Sequence, residues 1–125
     1  MKARESALRI KRFEADEYSK KVANLEFMIR DFQGMAADLD RQIQAEEERT
    51  GIKDSAHFAY STFAKSAAQR RNNLRASAAE LAVKLEAALK ARDDAVEHLS
   101  QASMPAPRED QRSRRRSERS APAAR

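Results

Sequence analysis

One apolar seam limits what this chain can fold into. Leu8, Lys11, Ala15, Tyr18, Val22, Leu25, Ile29, Phe32, Ala36, Leu39 and Ile43 alternate spacings of three and four residues without a slip. The average of 3.5 keeps a narrow stripe facing a partner helix through a left-handed supercoil. Lys11 is the polar breach. A second stripe follows: Ala64, Ala67, Arg71, Leu74, Ala78, Leu81, Leu85, Ala88, Arg92, Ala95 and Leu99. Leu89 and Val96 lie one position beside it, as happens when a 3.6-residue helix drifts from a 3.5 repeat. The stripe is weakly apolar before Leu74 and strong after it.

Helix boundaries follow from the punctuation. The first helix should start near Arg4 to Ser6, about residue 5, and run to Arg49, roughly 65–70 Å at 1.5 Å per residue. Thr50-Gly51 supplies the stop, with Gly51 suited to a left-handed position after the helix. Gly34 sits inside the helix, where it costs about 1 kcal/mol relative to Ala, and could allow a close approach. The connection spans 50–61. Asp54, Ser55, Ser61 and Thr62 are each able to cap the next helix, and the sequence does not choose among them. Phe58, Tyr60 and Phe63 cluster there, read as a small cap that closes the hairpin end. The second helix is expected over 62–101, ended by Met104-Pro105-Ala106-Pro107. Residues 104–125, rich in Pro, Arg and Ser without periodicity, are expected to be disordered.

The predicted fold is therefore all-α, an antiparallel two-helix coiled-coil hairpin with a basic C-terminal tail. With the turn near Ile52–Asp54, residue i faces about residue 106 − i. That sets Phe32 against Leu74, Leu25 against Leu81, Val22 against Leu85 or Lys84, Tyr18 against Ala88, Ile29 against Ala78 or its neighbour, and Leu8 against Leu99 or His98. A parallel dimer would leave the aromatic connection without a role. The chain is expected to be monomeric in isolation and marginally stable.

Composition narrows the function. The chain has no Cys, so disulfides are excluded, and no Trp. No apolar run reaches the roughly 18–20 residues that cross a bilayer, and no secretory h-region follows the charged N-terminus. These point to a cytoplasmic protein. The net charge of +5 is concentrated in 108–125, which hold seven Arg against Glu109, Asp110 and Glu118. No phosphate-binding Gly loop, H-E-x-x-H or G-x-S-x-G occurs, and a hairpin lacks a shielded cleft. No enzyme activity and no cofactor or metal is expected; His57 and His98 lie far apart.

Two segments are candidate contact surfaces. Gln69-Arg70-Arg71-Asn72-Asn73-Leu74-Arg75 puts Arg on the seam opposite Ala36 and Gly34, and two adjacent Asn are poor helix formers. One reading is a docking surface in which Gln69, Arg70, Arg71, Asn73, Leu74 and Arg75 meet carboxylates or phosphates. The other has these Arg snorkelling toward acids of the first helix. The open end gathers Lys2, Arg4, Arg9, Lys11 and Arg12, partly offset by Asp93, Asp94 and Glu97. Such a basic pole suits an acidic protein channel, RNA or an anionic membrane face. Arg112, Arg114, Arg115, Arg116 and Arg119 could bind nucleic acid non-specifically, but without interleaved aromatics to stack on bases. Phe13, Phe27, Met28 and Met35 either widen the core stripe or form an adaptable protein contact.

The stretch Ala36-Ala37-Asp38-Leu39-Asp40-Arg41-Gln42-Ile43-Gln44-Ala45-Glu46-Glu47-Glu48-Arg49-Thr50-Gly51-Ile52, together with His57-Phe58-Ala59-Tyr60 and Ala67-Ala68-Gln69-Arg70-Arg71-Asn72-Asn73-Leu74, resembles the FliJ family of flagellar export proteins in its shorter alphaproteobacterial form. The resemblance covers roughly residues 1–103. It implies an antiparallel two-helix coiled coil similar to the shaft subunit of rotary ATP synthases. It also implies a cytoplasmic component of the flagellar type III export apparatus, peripheral to the membrane at the flagellar base. The implied partners are the hexameric export ATPase, which such proteins stimulate, the export-gate membrane protein and export chaperones. Through the resemblance, Gln69–Arg75 becomes the candidate gate or chaperone contact, carried by Arg70, Arg71 and Leu74, and the basic N-terminal end the candidate ATPase contact. Apart from the resemblance, two readings remain: a nucleic-acid-binding coiled coil gripping with its Arg-rich tail, and a structural dimeric coiled coil.

Overall fold

A computed structural model describes residues 2–104. It consists of two helices, α1 (Lys2–Thr50) and α2 (Thr62–Ser103), packed against each other. They run antiparallel: Tyr60 bonds to Glu47 beside the loop, while Arg4 reaches Met104 at the far end. The expectations for 105–125, including the Arg-rich grip on nucleic acid, lie outside the described residues. No helix is long and apolar enough to cross a membrane among the described residues.

The heptad pattern of α1 becomes its buried face. Ala15, Val22, Leu25, Ala36 and Ile43 are buried, and Leu8, Lys11, Ile29, Phe32 and Leu39 are half-buried. Tyr18 is the seam position left exposed, at 38%. In α2, Ala64, Ala67, Ala78 and Ala88 are buried, with Leu74, Leu81, Leu85, Ala95 and Leu99 half-buried between them. A two-helix stick can cover each seam from one side only, so its larger side chains keep one edge in water. Two clusters form along it. Val22, Leu25 and Ala88 pack with Leu81, Leu85 and Leu89. Nearer the loop, Ile43, Ala64 and Ala67 pack with Leu39, Tyr60 and Ala68.

The helix ends follow local chemistry. Gly51 adopts φ +74°, and its N–H donates to the Glu47 carbonyl at 2.8 Å, a left-handed cap that a Cβ would strain. Ser61, rather than Asp54 or Ser55, caps α2: its Oγ accepts from the Ala64 N–H at 3.2 Å. Asp54 makes a turn instead, its Oδ1 accepting from the Ala56 N–H at 2.9 Å. Both helices run slightly past their expected ends, α1 from Lys2 and α2 to Ser103. Met104 is extended, at φ −68° and ψ 143°, as a residue before proline must be.

Three expectations are corrected. Because α2 starts at Ser61–Thr62, the turn centres later than Ile52–Asp54, and partners shift toward the loop. Ala88 packs in one cluster with Val22 and Leu25, and Arg71 reaches forward to Asp40. Gly34 faces open space: a Cβ there would meet nothing within 4 Å. The aromatic cap reduces to Tyr60, since Phe58 is 95% exposed and Phe63 is exposed too.

Candidate partner-binding site

The segment Gln69–Arg75 lies on α2 near the loop, and the helix divides its side chains among three faces. Arg71 occupies a seam position. Its guanidinium donates to Asp40 Oδ1 of α1 at 2.7 Å and to Asn72 Oδ1 at 3.1 and 3.2 Å. Arg75, one turn on, pairs with the other oxygen of the same carboxylate. Asp40 and Arg71 keep only 31% and 23% of their side chains in water. The Arg71 hydrogen bond, outweighing partial desolvation and joined by the Arg75 charge, holds the Asp40 carboxyl below its ordinary range. These two Arg thus reach an acid of the first helix, as the snorkelling reading describes, and share its single negative charge.

Arg70 and Leu74 turn to the other side of the seam. With Met35, Asp38, Leu39 and Gln42 of α1 they line a shallow open groove. Asp38 pairs with Arg41 on its own helix, so among the described residues Arg70 has no carboxylate within ion-pair distance. The groove therefore offers an apolar floor of Met35, Leu39 and Leu74 beside an uncommitted guanidinium. Met adapts to irregular partner surfaces, and Arg can hold a carboxylate in two parallel bonds. Gln69 and Asn73 are exposed on the outer face of α2, away from this groove.

The basic N-terminal group is a separate place, about 40 Å away along α1. Lys2, Arg4, Arg9 and Arg12 are exposed and Lys11 is half-buried on the seam. Arg4 closes the open end, its guanidinium donating to the Met104 carbonyl at 3.2 Å; a cation suits the C-terminal end of a helix. Of the three acids expected to offset this pole, Asp93 pairs with Arg92 at 3.0 Å, and Glu97 accepts a hydrogen bond from the neutral Gln101 amide at 3.2 Å. Among the described residues, no carboxylate lies within ion-pair distance of Lys2, Arg4, Arg9, Lys11 or Arg12.

At the loop, Tyr60 and Ser61 tie the connection to α1. The Tyr60 hydroxyl donates to Glu47 Oε1 at 3.1 Å, and Ser61 Oγ donates to Glu46 Oε1 at 2.9 Å. Arg49 also donates to Glu46 at 2.5 and 3.0 Å. Hydrogen bonds from Arg49 and then Ser61 draw the Glu46 carboxyl below its ordinary range. Burial, with the Glu47 bond second, pushes the Tyr60 phenol up. Phe58 projects beyond these ties and stacks on His57 at 4.7 Å between ring centroids. Among the described residues, no three His, Asp or Glu side chains converge on a metal-sized site.

Sequence reasoning missed Asp40 and the Glu46–Ser61 and Glu47–Tyr60 ties. The signal for Asp40 was its place beside the seam, where an antiparallel partner brings residues of the same flank together; only the register hid its partner. No family model, curated protein or solved structure matches this chain.

Proposed function

We propose that this hairpin is a FliJ-type adaptor of a flagellar protein export apparatus, binding and stimulating the export ATPase and linking it to the export gate and its chaperones. The observation that carries the reading is the division of the Gln69–Arg75 motif. Arg71 and Arg75 secure the helix pair through Asp40, while Arg70 and Leu74 are left over for a partner in the groove with Met35 and Leu39. Support also comes from the two segments that resemble the family, which lie on facing helices beside the loop. In this reading the groove receives the gate or a chaperone, and the open basic pole of Lys2, Arg9, Lys11 and Arg12 meets the ATPase. The protein works from the cytoplasm and reaches the membrane only through its partners. It has no catalytic residues of its own.

The test is ATP hydrolysis by the cognate export ATPase, at physiological salt, with the full chain and with a chain ending at Pro107. Stimulation by both forms is expected. Arg70→Ala with Leu74→Ala should abolish capture of the gate's cytoplasmic domain while leaving that stimulation intact. Absence of binding and stimulation by either form rejects the adaptor. Salt-sensitive binding to nucleic acid that disappears with residues 108–125 would replace it.

A further inference from the structure

The outer face of α1, opposite the seam, carries a second, shorter stripe. Ile10, Phe13 and Phe27 are 60, 64 and 67% exposed. In a heptad whose seam positions are a and d, these residues fall at c and f. The stripe 10, 13, 17, 20, 24, 27 repeats the alternation of three and four that defines a coiled-coil contact. Its other members are polar: Glu17 and Lys20, paired at 3.3 Å and both well exposed, and the exposed Asn24. Phe13 and Phe27 therefore do not widen the core. Single exposed apolar residues are ordinary. Three bulky ones in a common register, at both ends of a charged centre, have the layout of a contact surface.

The stripe is complementary to itself when reversed. About a point between Tyr18 and Ser19, residue i of one helix meets residue 37 − i of an antiparallel copy. Ile10 then meets Phe27, Phe13 meets Asn24, and Glu17 meets Lys20, and each pair recurs by symmetry. Asn24 is short enough to leave room for the Phe13 ring, and its amide keeps to water at the rim of so narrow a contact. A polar residue in such a stripe weakens the contact but fixes its alignment. On one flank Glu14 approaches Lys21 of the other copy, and Met28, 41% exposed, covers Ala7. On the other flank Arg9 approaches Arg30, a like-charge pair whose long side chains can turn to water. Gly34, which touches nothing within the hairpin, continues the stripe opposite Ala3.

We propose that two copies of this chain pair through the outer faces of α1, antiparallel about a two-fold axis between Tyr18 and Ser19. The interface is isologous, so one set of residues supplies both halves. Ile10, Phe13, Phe27 and Met28 from each copy fall short of the roughly 1,200–2,000 Å² that stable interfaces bury. The dimer is therefore weak and reversible. The paired region ends near Gly34, and the two loop ends point away from each other.

Analytical ultracentrifugation of the full chain from about ten micromolar to one millimolar tests this. The wild type should pass from monomer to dimer. Asn24→Leu replaces the polar neighbour of Phe13 and should tighten association by about tenfold or more. In that tightened background, Glu17→Lys alone and Lys20→Glu alone each place like charges across the axis and should weaken it by about tenfold. Exchanging both should restore it, and an equimolar mixture of the two single reversals should form a heterodimer. Phe13→Ser with Phe27→Ser should leave the chain monomeric. Far-UV circular dichroism should match wild type throughout, since every change lies opposite the seam. A wild-type chain that stays monomeric over the whole range overturns the proposal and leaves the stripe to another protein. Dimerisation unmoved by the single charge reversals overturns it too.

Discussion

Beside the loop, α1 and α2 are fastened by polar bonds: Tyr60 to Glu47, Ser61 to Glu46, and Arg71 and Arg75 to Asp40. Around Val22, Leu25 and Ala88 the same helices meet through aliphatic contact. Among the described residues, no hydrogen bond crosses that half until Arg4 reaches Met104. The apolar layers differ in the same sense. The loop half packs small Ala64 and Ala67 beneath Ile43, whereas the outer half interleaves Leu81, Leu85 and Leu89 with Val22 and Leu25. A polar side chain in a seam needs a partner at one position, so it specifies register at some cost in stability. Leucine layers add adhesion and tolerate sliding. The hairpin thus sets its alignment where the chain reverses and gains most of its cohesion further out.

Substituting Leu25, 8% exposed at the centre of the outer cluster, should have the largest effect. Leu25→Ala is expected to cost about 2–4 kcal/mol, read from urea unfolding, with protection from hydrogen exchange lost first around residues 15–30 and 80–95. Equal loss in both halves would show that they unfold as one unit.

Asp40→Ala should cost about 1–2 kcal/mol, because it leaves the half-buried Arg71 without its carboxylate. Adding Arg71→Leu should recover that loss, since an apolar seam residue needs no partner. If the polar ties set register, the double variant will cross-link less selectively between Val22→Cys and Ala88→Cys while being no less stable. Unchanged selectivity would transfer that role to the loop caps. Gly51→Ala, at φ +74°, should cost about 1 kcal/mol by straining the left-handed cap; unaltered thermal unfolding would show that the loop readjusts.

Acid should produce the smallest difference. Asp40 and Glu46 have carboxyls held below their ordinary range in the folded chain. Their stabilisation is therefore present above the unfolded values, near about 4, and is lost as pH falls through the lower folded values. Protection from hydrogen exchange, relative to the intrinsic rate at each pH, should then fall near Ser61 and Arg71 before it falls near Val22 and Ala88. Both carboxylates are partly solvated, so the effect is modest and shrinks with added salt. Simultaneous loosening of both halves would break the contrast.

Much of the fold was legible because it depends on one period. A 3.5-residue repeat in α1 marks nearly every position that the structure buries, from Leu8 to Ile43. Gly51 announced its own left-handed cap. The candidate site was less legible. Arg70 and Arg71 are adjacent in sequence, and nothing in the local pattern tells which is consumed by the hairpin. A difference of about 100° around the helix separates them, sending Arg71 to Asp40 and Arg70 to the groove. Phe58 and Tyr60 likewise look equivalent in sequence, yet Tyr60 is bonded to Glu47 and Phe58 stands in water.

The sequence by itself determined two long helices, the face each buries and the glycine that ends the first. These are set by interactions within a few residues of each other, which a linear pattern records. The tertiary structure decided the register, through the choice of Ser61 over Asp54 as the cap, and with it the pairing of Asp40 with Arg71 and Arg75. It also decided which of the two adjacent arginines, Arg70 and Arg71, finds a carboxylate across the seam. Such outcomes depend on where two distant segments come to lie beside each other, and a few residues of shift in one turn reassigns every contact beyond it.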